Sequence, residues 1–122
     1  MSKIVIAANA MIENKNRISN VVPGINGIEV FFLFDGKYKW SIIQRDDGAY
    51  ALVYYPGKQT LEELAGMQEY EWGDFAELVY YNSKDIGTRE SEETFRELYK
   101  LVTDMKYGMD DVLDNIINSV GF

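Results

Sequence analysis

The stretch from Tyr80 to Arg89, YYNSKDIGTR, has the residue types and order best suited to binding an anion. Two tyrosines end a predicted strand, a polar loop with a glycine follows, and a helix then begins. Helix N-termini and arginine forks bind phosphate, and aromatic faces stack on bases. We therefore predict a nucleotide-like ligand held by Tyr81, Asn82, Thr88 and Arg89. The glutamates just downstream oppose an anion, and an ordinary strand-to-helix loop is the alternative.

Further residues complete this predicted site. Asn9 lies among three alanines and can both donate and accept hydrogen bonds, although satisfying the backbone at a bulge is its alternative role. Arg17 supplies a charge for phosphate, and Lys106 and Tyr107 lie where two predicted helices meet. Taken singly, each basic residue is more often an ordinary surface residue. Other candidate phosphate partners are Lys37, Lys39 and Arg45.

The chain contains no histidine and no cysteine. Their absence removes the commonest general base near neutral pH, the thiol nucleophile and the usual zinc ligands. No glycine-rich phosphate loop is present. Asp110 and Asp111 lack the spacing of a calcium loop and are better explained as the cap of a helix. We therefore predict a binding protein that is not an enzyme, with no catalytic residue, no metal and no cofactor.

The net charge of −8 is distributed unevenly along the 122 residues. Residues 1–61 carry seven basic and five acidic side chains, whereas residues 62–122 carry five basic and fifteen acidic ones. Duplex DNA would repel such a chain, so no nucleic acid duplex is expected as a partner. The acidic half either keeps the protein in solution or meets a basic partner. The alternative function is therefore an acidic protein-binding inhibitor of a host defence or nucleic-acid enzyme.

Hydrophobic segments are too short for a membrane helix, and no signal peptide is recognised. We therefore expect no membrane partner and a cytoplasmic location. The pattern predicts one α+β domain over residues 1–122, an N-terminal antiparallel β-sheet meander packed on two C-terminal α-helices. Residues 1–82 are expected to be mainly sheet, with a first strand over residues 3–11 whose alanines allow a close approach. The dipeptide Asp35-Gly36 is typical of a two-residue hairpin turn.

Helices are predicted at later positions. A capping-box spacing of threonine and glutamate indicates a short helix near 60–67. Residues 88–120 have the periodicity of two helices, with Thr88 or Ser91 as the cap of the first and Gly108 as its end. The second helix is expected to bury an apolar face formed by Val112, Leu113, Ile116, Ile117 and Val120.

The predicted strands are apolar on both sides, as in IEVFFLF at 28–34 and AYALVYY at 49–55. An antiparallel sheet with one wet face should alternate apolar and polar residues. Because two helices can cover only one face, a second copy of the chain is expected to cover the other. We therefore predict a homo-oligomer, a dimer or higher. A strongly curled sheet that wraps around the helices is the alternative.

The chain resembles phage anti-defence proteins that counter the Thoeris system, in the first-described sponge family that sequesters cyclic ADP-ribose isomers. Five stretches carry the resemblance in order: KIVIAANAMI, VFFLFDGKYKWSI, LVYYPG, IGTRESEETFRELY and KYGMDDVLDNII. Together they span nearly the whole chain. The resemblance implies a homo-oligomer with ligand pockets at subunit contacts, between sheet and helix. It implies capture of glycocyclic ADP-ribose without cleavage and, in some relatives, a separate site for cyclic oligonucleotides.

The residues and the resemblance together predict a phage anti-defence protein that acts in the host cell cytoplasm. It would sequester a cyclic nucleotide-derived immune signal without cleaving it. No family pocket residues are carried over to single positions, so the predicted contacts come from residue chemistry alone. The net negative charge of the chain is unexpected for this function, because a dianion is attracted by positive charge. Capture of a dianion therefore requires the few basic residues to be concentrated at the site.

Overall fold

A computed structural model describes residues 2–25, 27–66 and 77–120. It shows a five-stranded antiparallel sheet whose strands follow chain order. The strands are β1 (Ile18–Pro23), β2 (Val30–Phe34), β3 (Tyr38–Gln44), β4 (Tyr50–Tyr54) and β5 (Val79–Asn82). The helices are α1 (Lys3–Glu13), α2 (Leu61–Ala65), α3 (Ser83–Ile86), α4 (Arg89–Lys106) and α5 (Met109–Ser119). The predicted α+β class is confirmed.

The first element is a helix, so the prediction of a strand over residues 3–11 is wrong, and residues 1–82 hold less sheet than expected. α1 buries Ile4, Val5, Ala8 and Met11, whose spacing places them on one side of a helix. Alanine is the strongest helix former and a weak strand residue, so the central AANA favours the helix. Ala8 is fully buried where α1 packs on α4, whereas Ala7 is half-buried and Ala10 is exposed, so one of the three alanines lies at a close contact.

The sheet has a hydrophobic core on each face. On the first face, α4, with α1 beside it, covers Val30, Phe32, Ile42, Tyr50 and Leu52. On the second face, α2 covers Phe31, Val53 and Tyr55. The two sets alternate along each strand, as the pleat requires. A second copy was expected to cover the second face, but α2 of the same chain packs there, so this core does not require a second copy. Homo-oligomerisation itself stays a prediction.

Several predicted turns and caps are confirmed. Thr60 and Thr88 each accept a hydrogen bond of 3.1 Å from the backbone N–H three residues further on, and they start α2 and α4. Position 67 of the predicted short helix lies outside the described residues. Gly108, with φ of 62°, ends α4 as predicted. It is also the N-cap of α5, so the prediction that Asp110 or Asp111 caps this helix is wrong.

The apolar side of α5 is exposed, and the prediction that it is buried is wrong. The exposed fractions are 42% for Val112, 50% for Leu113, 56% for Ile116, 47% for Ile117 and 61% for Val120. The amphipathic spacing correctly predicts a helix here. Spacing identifies a stripe but does not supply a surface to cover it, and α5 packs mainly against the neighbouring α4. Among the described residues, no helix is both long and apolar enough to cross a bilayer.

Candidate functional site

The residues predicted to contact a ligand lie in separate parts of the fold. Asn9 faces α4, where a threonine hydroxyl donates to its side-chain oxygen at 3.4 Å. Arg17 precedes β1 and donates two hydrogen bonds of 2.5 Å to the carboxylate of Asp35. Lys106 and Tyr107 meet at the end of α4, with the ammonium 4.5 Å from the ring centroid. Of the predicted set, the structure brings these last two into contact.

The stretch from Tyr81 to Arg89 makes mainly local structural contacts. The side chain of Asn82 accepts a hydrogen bond of 2.8 Å from the backbone N–H two residues on and starts α3. Thr88 caps α4, and Tyr81 packs half-buried against the first core. The side chain of Arg89 is 91% exposed and pairs with a glutamate one helical turn away. These contacts fit the alternative of an ordinary strand-to-helix loop.

A different group of aromatic residues is brought together at the end of the sheet where β2 turns into β3. Phe34 pairs with Tyr38 across the hairpin, and Trp40 pairs with Tyr54 across β3 and β4. Ring centroids lie 4.9 Å apart for Trp40 and Tyr54 and 6.5 Å apart for Tyr38 and Tyr54. Strand alternation places all four on the first face of the sheet. We call Phe34, Tyr38, Trp40 and Tyr54 the aromatic shelf.

The helices cover the aromatic shelf only in part. Tyr38 is 40% exposed, and the other three rings are half-buried, whereas Phe32 on the same face is completely buried. The indole Nε1 of Trp40 is buried and has no hydrogen-bond partner in the described part of the chain. Such unpaired buried donors are uncommon in native proteins. An acceptor atom reaching this nitrogen would satisfy it.

Two cations flank the aromatic shelf. The guanidinium of Arg17 lies 5.1 Å from the ring centroid of Phe34, and the ammonium of Lys37 lies 4.9 Å from that of Tyr38. The hydrogen bonds and charge of Asp35 raise the pKa of Arg17 and neutralise much of its field. Lys37 forms no ion pair with any carboxylate in residues 2–25, 27–66 or 77–120. Its charge is therefore available to an anion at the shelf.

Sequence reasoning named both flanking cations but missed the aromatic shelf as a set. The hairpin gave only part of the signal. A two-residue turn at Asp35-Gly36 would pair Phe34 with Lys37, whereas the observed loop spans residues 35–37 and pairs Phe34 with Tyr38. Alternation along β3 then places Trp40 on the same face as Tyr38. The pairing of Trp40 with Tyr54 depends on the register of the next hairpin, whose turn residues specify it less sharply.

A concavity lies between α1 and α4. It is an open groove of about 400 Å³ lined by Ile12, Glu13, Lys15, Glu97, Lys100, Leu101 and Asp104. This volume is within the range of small-molecule pockets. Three carboxylates and two ammonium groups surround two aliphatic side chains, so the lining favours neither an anion nor an apolar ligand. None of the predicted ligand contacts lines it.

The second core contains a buried polar network. Ser41 donates a hydrogen bond of 2.7 Å to Glu29, and its hydroxyl lies 2.8 Å from the phenol oxygen of Tyr55. Burial, and then the charge of Glu29, raise the pKa of Tyr55. All three residues are at most 2% exposed, so this network is closed to substrates and serves the fold.

Comparison of the chain with protein-family models, with curated proteins and with solved structures found no match. Among the described residues, no group of acidic side chains is placed to hold a metal ion. A functional proposal therefore depends on the chemistry of the aromatic shelf and on the resemblance of the sequence.

Proposed function

We propose that the protein captures a cyclic, nucleotide-derived signal at the aromatic shelf and sequesters it without cleavage. One observation carries this proposal: half-exposed aromatic rings lie beside an unpaired cation. Stacking of a base on an aromatic ring is worth about 1–3 kcal/mol. Tyr38 supplies the accessible ring, and Lys37 supplies the charge for phosphate.

The ligand class within this proposal comes from the resemblance to Thoeris anti-defence sponges. Glycocyclic ADP-ribose presents a base to the rings and two phosphates to the cations. Cyclic oligonucleotides present the same two kinds of group. Both ligand classes fit a site that combines stacking with positive charge. The aromatic shelf is therefore a better site for them than the groove between α1 and α4, whose lining has mixed charge. A phage protein with this activity would silence the host effector that the signal activates.

Capture without turnover is supported by residue chemistry. The chain has no histidine or cysteine, so a bound ligand meets none of the side chains that most often act as a base or nucleophile at neutral pH. The buried carboxylate of Glu29 belongs to the second core, whereas the aromatic shelf belongs to the first face. We therefore expect the ligand to be bound and released chemically unchanged.

The test is native mass spectrometry with glycocyclic ADP-ribose and with cyclic trinucleotides, followed by heat release. Discrete ligand masses that return unchanged after denaturation support the proposal. Wild-type protein that binds no nucleotide contradicts it. Calorimetry then locates the site, since Tyr38→Ala should weaken binding by roughly tenfold or more, the equivalent of about 1.4 kcal/mol. Tyr80→Ala is the matched control, because Tyr80 is 44% exposed on the other face of the sheet.

The alternative function, an acidic inhibitor of a host defence or nucleic-acid enzyme, is favoured by α5. Asp110, Asp111 and Asp114 are exposed there and form no ion pair within the described chain. A docked basic enzyme would be released by salt, since exposed charges are screened. Inhibition of a nuclease that is relieved by raising salt favours this function. Ligand capture that persists at high salt favours the first.

A further inference from the structure

Asp35 holds one of the two cations that flank the aromatic shelf. It follows the shelf residue Phe34 and stands two residues before Lys37 in the loop that joins β2 to β3. Its carboxylate accepts two hydrogen bonds of 2.5 Å from the guanidinium of Arg17, which lies 5.1 Å from the ring centroid of Phe34. A carboxylate in this position occupies the fork of donors that a phosphate would otherwise use.

The conformation of the loop does not require a charge at this position. Asp35 has φ of 58°, and its backbone N–H donates a hydrogen bond of 3.0 Å to the carbonyl of Arg17. Asparagine and glycine adopt positive φ as well, and both would keep this backbone hydrogen bond. The side chains of Arg17 and Asp35 are 51% and 26% exposed, so a ligand at the shelf can reach the pair. The carboxylate is therefore best understood through its charge.

The charge of Asp35 affects possible ligands unequally. Together with Arg17 and Lys37 it leaves one net positive charge at the shelf, where two would otherwise stand. The energy of a ligand in the field of one charge is proportional to the charge of the ligand. A phosphate that bridges two sugars keeps a single negative charge, whereas a terminal phosphate carries about 1.5 to 2 at pH 7. Asp35 therefore repels terminal phosphates more strongly than bridging ones.

We propose that Asp35 is a specificity-determining residue, which weakens the binding of linear nucleotides more than that of a cyclic ligand with bridging phosphates. This inference rests on the proposed function. Linear nucleotides such as AMP and ATP offer the same base for stacking and a larger charge on their terminal phosphate. Specificity is a difference between affinities, and repulsion of the competitor is one way to obtain it. Asp35 would thus keep the aromatic shelf free for the cyclic signal.

Calorimetry at low salt and without divalent cations tests the role of Asp35, with adenosine, AMP, ATP and glycocyclic ADP-ribose as probes. Asp35→Asn removes the carboxylate charge, frees Arg17 and suits the left-handed conformation. Affinity should rise roughly twofold for each unit of negative charge on the probe. The gain should therefore be largest for ATP, smaller for glycocyclic ADP-ribose and absent for adenosine. It should shrink at high salt, because exposed charges are screened.

Arg17→Gln separates selection by charge from a merely structural ion pair. It breaks the same pair and leaves Asp35 without this partner, so ATP should bind more weakly while adenosine binds as before. If the pair only holds the loop in place, both Arg17→Gln and Asp35→Asn should weaken the binding of every probe, adenosine included. Glu93→Gln is the matched control, because it removes one carboxylate charge from an exposed ion pair at the start of α4 and should change no affinity.

The outcomes distinguish this inference from the proposed function. If the wild type binds glycocyclic ADP-ribose and Asp35→Asn does not raise the ATP affinity, the role of Asp35 is overturned and capture of the signal stands. If Asp35→Asn raises affinity in order of charge and the wild type ignores the cyclic ligand, capture fails and the repulsion by Asp35 stands. If neither protein binds any probe, both fail. Asp35→Gly, which also permits positive φ, repeats the measurement if Asp35→Asn alters the circular dichroism spectrum.

Discussion

Ser41 on β3 donates a hydrogen bond of 2.7 Å to the carboxylate of Glu29, inside the core that α2 closes over the second face of the sheet. Glu29 precedes β2. Tyr55, whose phenol oxygen lies 2.8 Å from the hydroxyl of Ser41, follows β4. The network therefore links the start of β2 and the end of β4 to the middle of β3. A carboxylate can be buried among apolar side chains only when hydrogen bonds replace its lost water.

Replacing Ser41 with alanine should lower the free energy of unfolding by about 1–3 kcal/mol, because the buried carboxylate of Glu29 loses a donor. Urea denaturation followed by tryptophan fluorescence measures the change. Ser19→Ala, at an exposed position of β1, is the control and should have almost no effect. Equal effects of the two substitutions would contradict a stabilising role for the network.

Stability should fall above pH 10. Burial and the charge of Glu29 raise the pKa of Tyr55 above its ordinary value of 10.0, so the unfolded chain loses this proton first as the pH rises. The stabilising contribution is therefore complete below pH 10 and is lost in the alkaline range. Partial burial raises the pKa of Tyr99 as well and adds to the same decline.

The measurement for this decline is the urea midpoint at a series of alkaline pH values. Tyr55→Phe should decline less steeply with pH than the wild type, whatever its stability at neutral pH. A Tyr55→Phe slope identical to that of the wild type would show that another group titrates.

Substitutions of Thr88 and Arg89 should show whether the start of α4 contributes to stability, to ligand affinity or to both. Thr88→Ala removes the N-cap of α4 and should lower the free energy of unfolding by about 1 kcal/mol. Arg89→Ala removes an exposed side chain and should leave the fold intact. If the ligand binds at the aromatic shelf, neither change alters its affinity. A larger loss of affinity for Arg89→Ala than for Tyr38→Ala would place the ligand at the start of α4.

Trp40 should report the ligand directly. A base stacked at the aromatic shelf lies close to the indole, so ligand addition should change tryptophan fluorescence. The chain has two tryptophans, and Trp40→Phe leaves Trp72 as the remaining emitter. The ligand-induced change should then disappear while calorimetry still detects binding. A change of undiminished size in Trp40→Phe would place the ligand away from the shelf.

Local features of the fold could be predicted because they depend on a few neighbouring residues. The turn at Asp35-Gly36 needs two positive φ angles, observed at 58° and 70°, and aspartate and glycine tolerate them. The predicted loop length of two residues is wrong, because the loop also includes Lys37. The caps at Thr60 and Thr88 need only a hydroxyl and a backbone N–H one turn later. The end of α4 at Gly108 likewise depends on one residue, a glycine with a positive φ.

Features that depend on distant partners could not be predicted in this way. The stretch over α1 is helical partly because α4, far along the chain, offers it a surface. The stripe of α5 was expected to be buried because its spacing resembles that of a core helix, yet no described element faces it. The aromatic shelf likewise needs the register of two hairpins, whereas sequence reasoning weighed Tyr81 and Arg89 by residue type alone.

The packing of α1 on α4 also has a kinetic consequence. β1 to β4 pair in sequence order across connections of a few residues, so this part of the sheet can form by short loop closures, which are fast. α1, in contrast, is translated before the sheet, and its partner is translated after it. Ile4 and Val5 must therefore stay without their helical cover until α4 has left the ribosome. In this interval the nascent protein is most exposed to aggregation and to chaperones.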